Sequence, residues 1–283
     1  MARRSILQEI RCEGTALHAG GRVCARLLPA EAGRGIIFCR DDLGGKEIRA
    51  YFDRVSDTRL GTVIAEGDAS VAVIEHLMAA LFGAGLDDVV VALDGPEPPI
   101  LDGDALSWLE KLDAAGVREQ PGSRSTIRIL RRVDVSRGEA SASLVPCDSP
   151  VFDFSIDFDT PVIGSQHLVW HYAPESFRRD IAPARTFGFL HEFEALRASG
   201  LARGASRDNT LGIEGDRLVN PELLRFGDEF VRHKVLDAIG DLALAGASMI
   251  GRFEGRKSGH SLNNALLRAV FSDPGNYELI TAL

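Results

Sequence analysis

The strongest helical pattern in the chain runs over residues 228–246 and presents two different faces. Its apolar positions recur at helical spacing and predict a stripe packed into a core: Val231, Val235, Ala238, Ile239, Leu242 and Gly246. Asp228 stands where a helix N-cap is expected. On another face, His233, Asp237 and Asp241 follow one another at successive turns. An imidazole and a carboxylate one turn apart can grip a metal ion, although an isolated pair of this spacing is more often a solvated charge pair.

A second amphipathic pattern predicts a helix over residues 73–82, ended by Gly83. Its apolar stripe consists of Ile74, Leu77, Met78, Leu81 and Phe82. Glu75 and His76 lie at its start, about 100° apart around the helix axis. An acid in this position can simply compensate the helix dipole. The same pair can also direct a proton acceptor and a metal ligand into one cavity.

Short segments of alternating or continuously apolar residues predict strands around both helices. They cover residues 23–27, 35–38, 89–93, 126–130, 152–158 and 249–253. Asp104 is expected to cap a further helix that runs to Ala115, and a last helix is expected to start near His260.

The order of these elements predicts an α+β fold built from two similar domains. Residues 118–125 are polar and contain proline and glycine, which predicts a linker between domains at 1–120 and 121–283. Each half then contains strands, a helix that bears polar groups, a strand and a final helix, an order that indicates internal duplication. Residues from about 188 to 219 look like an insertion into the second half.

Composition narrows the class of protein. The 283 residues are 45% hydrophobic and 26% charged, which is ordinary for a protein with a packed core. The net charge of −9 argues against a general nucleic-acid binder. No apolar run reaches the roughly 20 residues that a membrane span needs, so any membrane contact is expected to be peripheral. Four scattered cysteines without a preceding signal peptide indicate reduced thiols in a cytoplasmic protein, which we expect to be a monomer.

Several separated segments carry groups suited to hydrolysis. His76, His233 and Asp237 form a set of two histidines and one carboxylate with an open position, as a hydrolytic zinc site requires. Thr186 lies between an arginine and two phenylalanines, and His260 follows two cations at a predicted helix start.

Taken together, these segments resemble the bacterial UDP-3-O-acyl-N-acetylglucosamine deacetylase family, zinc amidases of lipid A biosynthesis. The resemblance covers nearly the whole chain. Its most specific blocks are residues 74–77 (IEHL), 94–103 (DGPEPPILDG), 184–189 (ARTFGF), 230–241 (FVRHKVLDAIGD) and 257–260 (KSGH). It implies two α+β domains whose helices are sandwiched between two mostly antiparallel sheets, with an insertion that forms an apolar passage for the acyl chain.

The resemblance also implies a role for each group of the reaction centre. The implied metal ligands are His76, His233 and Asp237, which would hold one zinc ion per chain, with Fe²⁺ as the possible occupant in the cell. Glu75 would be the general base and His260 would protonate the leaving amine or stabilise the oxyanion. Asp241 would orient His260, and Thr186 would donate to the oxyanion.

Contacts to the rest of the substrate follow from the same resemblance. Lys234 and Lys257 would meet the phosphates, which gives an acidic protein a locally basic pocket. The other implied contacts are Phe187 and Phe189 on the sugar or acyl side, and Asp157 and Phe158 at the uracil. The products of hydrolysing the N-acetyl amide would be UDP-3-O-acyl-glucosamine and acetate, the committed step of lipid A biosynthesis.

Three alternatives are consistent with parts of the pattern. A mononuclear Fe(II) oxygenase also uses two histidines and one carboxylate, but that function leaves Glu75, His260 and the lysines unexplained. A non-catalytic sugar-nucleotide sensor would be expected to have lost a ligand, and none is missing. A metal amidase that acts on a different acylated sugar is separated from the favoured function by substrate profiling.

Overall fold

Six α-helices and twenty-one strands lie along residues 1–281, the part of the chain that the computed structural model describes. The helices are α1 (Glu75–Gly83), α2 (Leu106–Ala115), α3 (Pro174–Ser176), α4 (Leu190–Ala198), α5 (Glu229–Ala243) and α6 (His260–Phe271). The protein is therefore a mixed α+β structure, as the sequence pattern predicts. None of these helices is both long and apolar enough to span a bilayer.

The strands divide into two series along the chain. The first series is β1 (Ala2–Ile6), β2 (Ile10–Thr15), β3 (Arg22–Pro29), β4 (Ile36–Arg40), β5 (Lys46–Arg49), β6 (Val55–Asp57), β7 (Val63–Glu66), β8 (Ala69–Val71), β9 (Val89–Leu93) and β10 (Val117–Ser123). The second series is β11 (Ser125–Ile129), β12 (Val133–Arg137), β13 (Ala140–Val145), β14 (Val151–Asp157), β15 (Ser165–His171), β16 (Phe187–Phe189), β17 (Leu211–Glu214), β18 (Arg217–Leu218), β19 (Ser248–Ile250), β20 (Arg252–Arg256) and β21 (Tyr277–Thr281).

Two five-stranded sheets share one topology. Their strand orders are β2-β3-β9-β4-β5 and β12-β13-β20-β14-β15. In each sheet a late strand lies between two hairpins, antiparallel to one neighbour and parallel to the other. A long helix precedes that late strand (α1 or α5) and another follows it (α2 or α6). This repeated order is the arrangement that an internal duplication produces.

Most of the polar segment predicted to link the two domains is strand β10, which pairs antiparallel with β1. Two polar side chains of β10 donate hydrogen bonds to the same backbone oxygen. Gln120 donates through Nε2 to the carbonyl oxygen of Ala30 at 2.7 Å, and Arg118 reaches the same oxygen at 3.5 Å. The polar composition of this segment therefore reflects a strand whose side chains form hydrogen bonds.

The strand predicted over residues 249–253 is also two separate strands. β19 pairs with β11 in a three-stranded sheet, whereas β20 enters the second five-stranded sheet. Gly251 lies between them, and a Cβ built there would be 2.8 Å from Cγ1 of Ile129. The chain thus changes sheets at a point where only glycine fits without displacing a neighbour.

The region around residues 188–219 contains the elements that its pattern predicts. The amphipathic segment is α4, and the short strand pair is β17 with β18, joined by β16 into a three-stranded sheet. A further three-stranded sheet, β6-β7-β8, precedes α1.

Helices α1 and α5 pack against each other so closely that the contact depends on one glycine. A Cβ built at Gly240 of α5 would lie 2.0 Å from the backbone oxygen of Glu75 at the start of α1. The side chains of Leu77 and Ile239, one on each helix, are buried in the surrounding core. This close approach brings the polar residues of both helices to one place.

Candidate active site

Three ligand-type side chains converge where α1 meets α5. His76 lies in the first turn of α1, and His233 and Asp237 lie one turn apart on α5. All three are buried, and their ligand atoms lie within 4.8 Å of one another. Oδ1 of Asp237 is 3.3 Å from Nε2 of His233 and 3.6 Å from Nε2 of His76. The trio predicted from sequence is therefore brought together by helices from the two halves of the chain.

The spacing within this trio fits a metal ion better than a hydrogen-bonded cluster. The two N···O separations exceed the usual length of a hydrogen bond, whereas ligands about 2.0–2.1 Å from a tetrahedral zinc ion are about 3.3–3.4 Å apart. Nδ1 of His233 donates to the carbonyl oxygen of Ala184 at 3.1 Å, which leaves the lone pair on Nε2 for a metal. The buried Nδ1 of His76 has no hydrogen-bond partner among residues 1–281. Two imidazoles and one carboxylate leave a fourth zinc position open for chemistry.

Burial and charge prepare these groups as ligands. Burial lowers the pKa of His233 to about 3, against the opposing charge of Asp237, so its imidazole is neutral. Burial alone would raise the pKa of Asp237, but the ammonium of Lys234, 2.9 Å from its Oδ2, contributes to holding that pKa well below its usual range. A neutral imidazole and an ionised carboxylate are the forms that bind a metal.

Glu75 is the buried acid next to the trio. Its Oε2 accepts a hydrogen bond from the backbone nitrogen of Thr62 at 2.9 Å. Gly61, with φ of 143°, passes so close that a Cβ there would lie 2.9 Å from Oε1 of Glu75. Burial raises the pKa of Glu75, an effect that His260 and His76 partly oppose. A raised pKa suits a carboxylate that must accept and release a proton.

His260 is the first residue of α6, and its imidazole faces Glu75. Its Nε2 is 3.8 Å from Oε1 of Glu75, and its Nδ1 donates to Oδ2 of Asp241 at 2.9 Å. Burial alone would lower the pKa of His260, but the carboxylates of Asp241 and Glu75 raise it to about 10. The site therefore holds an imidazolium opposite a carboxylate of raised pKa, a combination suited to acid–base chemistry.

Aromatic side chains predicted to meet the substrate form a wall beside the metal ligands. The ring of Phe187 lies edge-on to His233, with centroids 6.2 Å apart. Phe158 lies 5.9 Å from both Phe187 and Phe189. The neighbouring Thr186 is held by its backbone, which donates to the carbonyl oxygen of Gly103 at 2.8 Å.

The two lysines predicted to bind phosphate lie in different surroundings. Nζ of Lys234 is 2.9 Å from Oδ2 of Asp237 and 5.2 Å above the ring of Phe187. Nζ of Lys257 is 3.1 Å from carboxylate oxygens of both Asp157 and Glu139, and its side chain is 38% exposed. Lys234 thus contacts a member of the buried trio, and Lys257 joins Asp157 in an exposed charged cluster.

Sequence reasoning missed two residues that form hydrogen bonds to Asp241, the partner of His260. Thr62 donates its hydroxyl to Oδ1 of Asp241 at 2.5 Å, and Asn263 donates its amide to Oδ2 of the same residue at 2.8 Å. Thr62 lies outside the recognised blocks and carries no periodic signal. Asn263 lies three residues after His260, one turn along α6, and that spacing was the available signal.

Comparison with known proteins decides the family. The profile described as "LpxC: UDP-3-O-acyl N-acetylglycosamine deacetylase" matches residues 3–272. The chain belongs to this deacetylase family. A relative from Phenylobacterium zucineum, named UDP-3-O-acyl-N-acetylglucosamine deacetylase, is 48% identical over 95% of this chain and 92% of its own length. Relatives of the same name from Myxococcus xanthus and a Nitratiruptor species are 44% and 42% identical over 99% and 100% of this chain, and over 89% and 94% of their own lengths.

Membership in this family bears on which metal ion the buried trio fits. The UDP-3-O-acyl-N-acetylglucosamine deacetylase family consists of zinc-dependent enzymes, and His76, His233 and Asp237 fit a zinc ion by donor type, spacing and burial. The chain is accordingly a metal-dependent deacetylase of this family.

Proposed function

We propose that this chain hydrolyses the N-acetyl amide of UDP-3-O-acyl-N-acetylglucosamine, giving UDP-3-O-acyl-glucosamine and acetate in the committed step of lipid A biosynthesis. The observation that carries the proposal is the buried trio of His76, His233 and Asp237, with Glu75 next to it and the His260–Asp241 pair next to Glu75. The names of the full-length relatives supply the substrate.

The acid–base roles follow from the two titrating groups that are not needed as ligands. When bound, zinc supplies a Lewis acid that activates water at neutral pH and polarises the amide carbonyl. Glu75 accepts a proton from the attacking water. His260, held protonated by Asp241, hands a proton from Nε2 to the departing amine.

Thr186 and the two lysines are proposed as substrate contacts. Thr186 donates its hydroxyl to the oxyanion, which needs a preplaced donor besides the Lewis acid. Lys234 meets the phosphate linked to the sugar, because that phosphate is attached to the carbon next to the acetamido group and the lysine lies against Asp237. Lys257 meets the phosphate nearer the uridine, where Asp157 is its neighbour.

We propose that different rings of the aromatic wall contact different parts of the substrate. Phe187 and Phe189 line the sugar or acyl side, and Phe158 together with Asp157 meets the uracil. The contacts among the three rings support one continuous apolar surface for this purpose.

We further propose that the chain comprises two α+β domains, 1–120 and 121–283, whose helices are sandwiched between the two five-stranded sheets. The shared sheet topology and the packing of α1 on α5 support this arrangement. Residues 188–219 would be the insertion that receives the acyl chain. The enzyme is proposed to act as a monomer in the cytoplasm, with at most peripheral membrane contact and no nucleic-acid partner.

The test is acetate release coupled to metal analysis. Purified protein, freed of metal and then titrated with zinc, should release one acetate per molecule of acylated UDP-N-acetylglucosamine, with activity saturating at about one zinc per chain. Iron loading with oxygen uptake as the readout separates the oxygenase alternative. Absence of acetate release at full zinc occupancy would overturn the proposed function.

A further inference from the structure

We propose that Thr62 is a positioning residue that fixes the acid and the base of the reaction relative to each other. The inference rests on the proposed function, because it concerns the same reaction centre. Thr62 comes just before β7, outside both helices that carry the catalytic groups, and it is 2% exposed.

Thr62 makes one hydrogen bond to each side of the reaction centre. Its backbone nitrogen donates to Oε2 of Glu75 at 2.9 Å, and its hydroxyl donates to Oδ1 of Asp241 at 2.5 Å. Glu75 begins α1 and Asp241 lies on α5, so a single residue is bonded to carboxylates from both halves of the chain.

These two bonds determine which carboxylate oxygens face His260. With Oε2 of Glu75 bonded to Thr62, Oε1 is the atom directed at Nε2 of His260, 3.8 Å away. With Oδ1 of Asp241 bonded to Thr62, Oδ2 is the atom that accepts from Nδ1 of His260. Thr62 therefore sets the planes of the two carboxylates on either side of one imidazole.

The loop that carries Thr62 is itself anchored close to Glu75. A Cβ at Gly61 would lie 2.9 Å from Oε1 of Glu75 and would require one of them to shift, and the φ of 143° at Gly61 favours glycine. The carbonyl oxygen of Leu60 lies 2.9 Å from Nε2 of His18, a contact that connects the loop to the turn between β2 and β3. Because the loop is fixed by these contacts, Thr62 can orient the two carboxylates to which it is bonded.

The experiment compares Thr62→Val with Thr62→Ser. Valine keeps the shape and the backbone bond to Glu75 but removes the bond to Asp241. We expect kcat to fall about 10- to 100-fold, the usual cost of losing a group that orients a reaction-centre residue, with KM and zinc content unchanged. Serine restores the hydroxyl and should recover most of kcat.

A matched control is Ser143→Ala, which removes another buried hydroxyl that donates to a carboxylate, here Asp134 at 2.6 Å. That variant should keep the wild-type kcat. Should Thr62→Val fail to fold, Thr62→Ala removes the same bond in a smaller side chain and is read against Thr62→Ser in the same way.

A second readout separates this inference from the proposed function. The ¹⁵N resonances of the His260 imidazole report its bond to Asp241 whether or not acetate is released, and Thr62→Val should shift them while Ser143→Ala should not. The inference is overturned by Thr62→Val with kcat within twofold of wild type and unshifted resonances. It is equally overturned if serine fails to rescue or if kcat falls only in step with zinc loss. A wild-type enzyme that releases no acetate would instead count against the proposed function, and the resonances would still decide the role of Thr62.

Discussion

The two halves of the chain share a sheet topology but contribute different parts of the reaction centre. α1 of the first half supplies Glu75 and His76 from a single turn, whereas α5 of the second half supplies His233, Asp237 and Asp241 over three successive turns. α6 begins with His260, while none of the groups described in the site lies on α2, its counterpart in chain order. The repeated fold thus provides two matching helices, and the chemistry depends on what differs between them. Each half alone holds an incomplete site.

The largest effect is expected at Glu75, the proposed base in the first half. Replacing Glu75 by glutamine keeps a side chain that can accept from Thr62 but removes the proton acceptor. The rate should fall by about 10²–10⁴-fold, the usual worth of a general base, with zinc content unchanged. The acidic limb of the pH profile should disappear as well. Glu66→Gln, at an exposed glutamate of the same half, is the control. An intact acidic limb in Glu75→Gln would remove Glu75 from the base role.

The acid in the second half is tested through pH. In the proposed mechanism His260 acts in its protonated form, and its pKa is raised to about 10, so kcat should fall as pH rises through that value. In Asp241→Asn the largest of the carboxylate charges that raise the pKa of His260 is lost, Glu75 remains, and burial still lowers the pKa, so the basic limb should move to lower pH. At neutral pH the rate should drop by about 10- to 100-fold. A basic limb at the same pH in both proteins would contradict this assignment.

The contact between the halves is tested by Gly240→Ala. The new Cβ would lie 2.0 Å from the backbone oxygen of Glu75, so α1 and α5 must separate. We expect the free energy of unfolding to fall by about 1–3 kcal/mol, as in overpacked cores, together with a loss of kcat. Gly227→Ala, where a Cβ meets nothing within 4 Å, should change neither quantity. Equal stability of the two variants would mean that the helices tolerate a wider separation.

The smallest effect is expected at Lys257, which belongs to the second half but lies in an exposed cluster. Its ammonium is shared between Asp157 and Glu139, so its removal should weaken UDP binding only about 2- to 5-fold, as for surface charge pairs. The difference should shrink at high salt. Calorimetry at low salt is the measurement, with the exposed Lys46→Ala as control. Unchanged UDP affinity would leave Lys257 as a surface residue.

The sequence was sufficient for features that repeat or that depend on short-range spacing. β9 has the predicted bounds, α6 starts at the predicted His260, and the ligands on α5 follow from the 3.6-residue period of the helix. Asp228, predicted as an N-cap, precedes α5 as expected, but its carboxylate accepts from the side chain of Arg232 and caps no backbone group.

Features that depend on long-range contacts could not be predicted in this way. The polar segment that forms β10 pairs with a strand more than one hundred residues away, and polar composition carries no sign of that partner. Glu229, at the start of α5, is fully buried, and its carboxylate accepts hydrogen bonds from the backbone nitrogens of Arg185 and Phe226, contacts that its position in the sequence does not indicate. The contacts of Thr62 could not be predicted because its two partners lie on different helices. Glu75 is 13 positions further along the chain, and Asp241 is 179 positions further.

The central claim is that one zinc ion is shared between the two halves, and metal stoichiometry tests it most directly. His76→Ala removes the ligand of the first half, His233→Ala removes one from the second, and His171→Ala changes an exposed histidine as control. Wild type and His171→Ala should each bind about one zinc per chain, and both ligand variants should lose stoichiometric tight binding. Full zinc retention and activity in either His76→Ala or His233→Ala would contradict a site shared by the two helices.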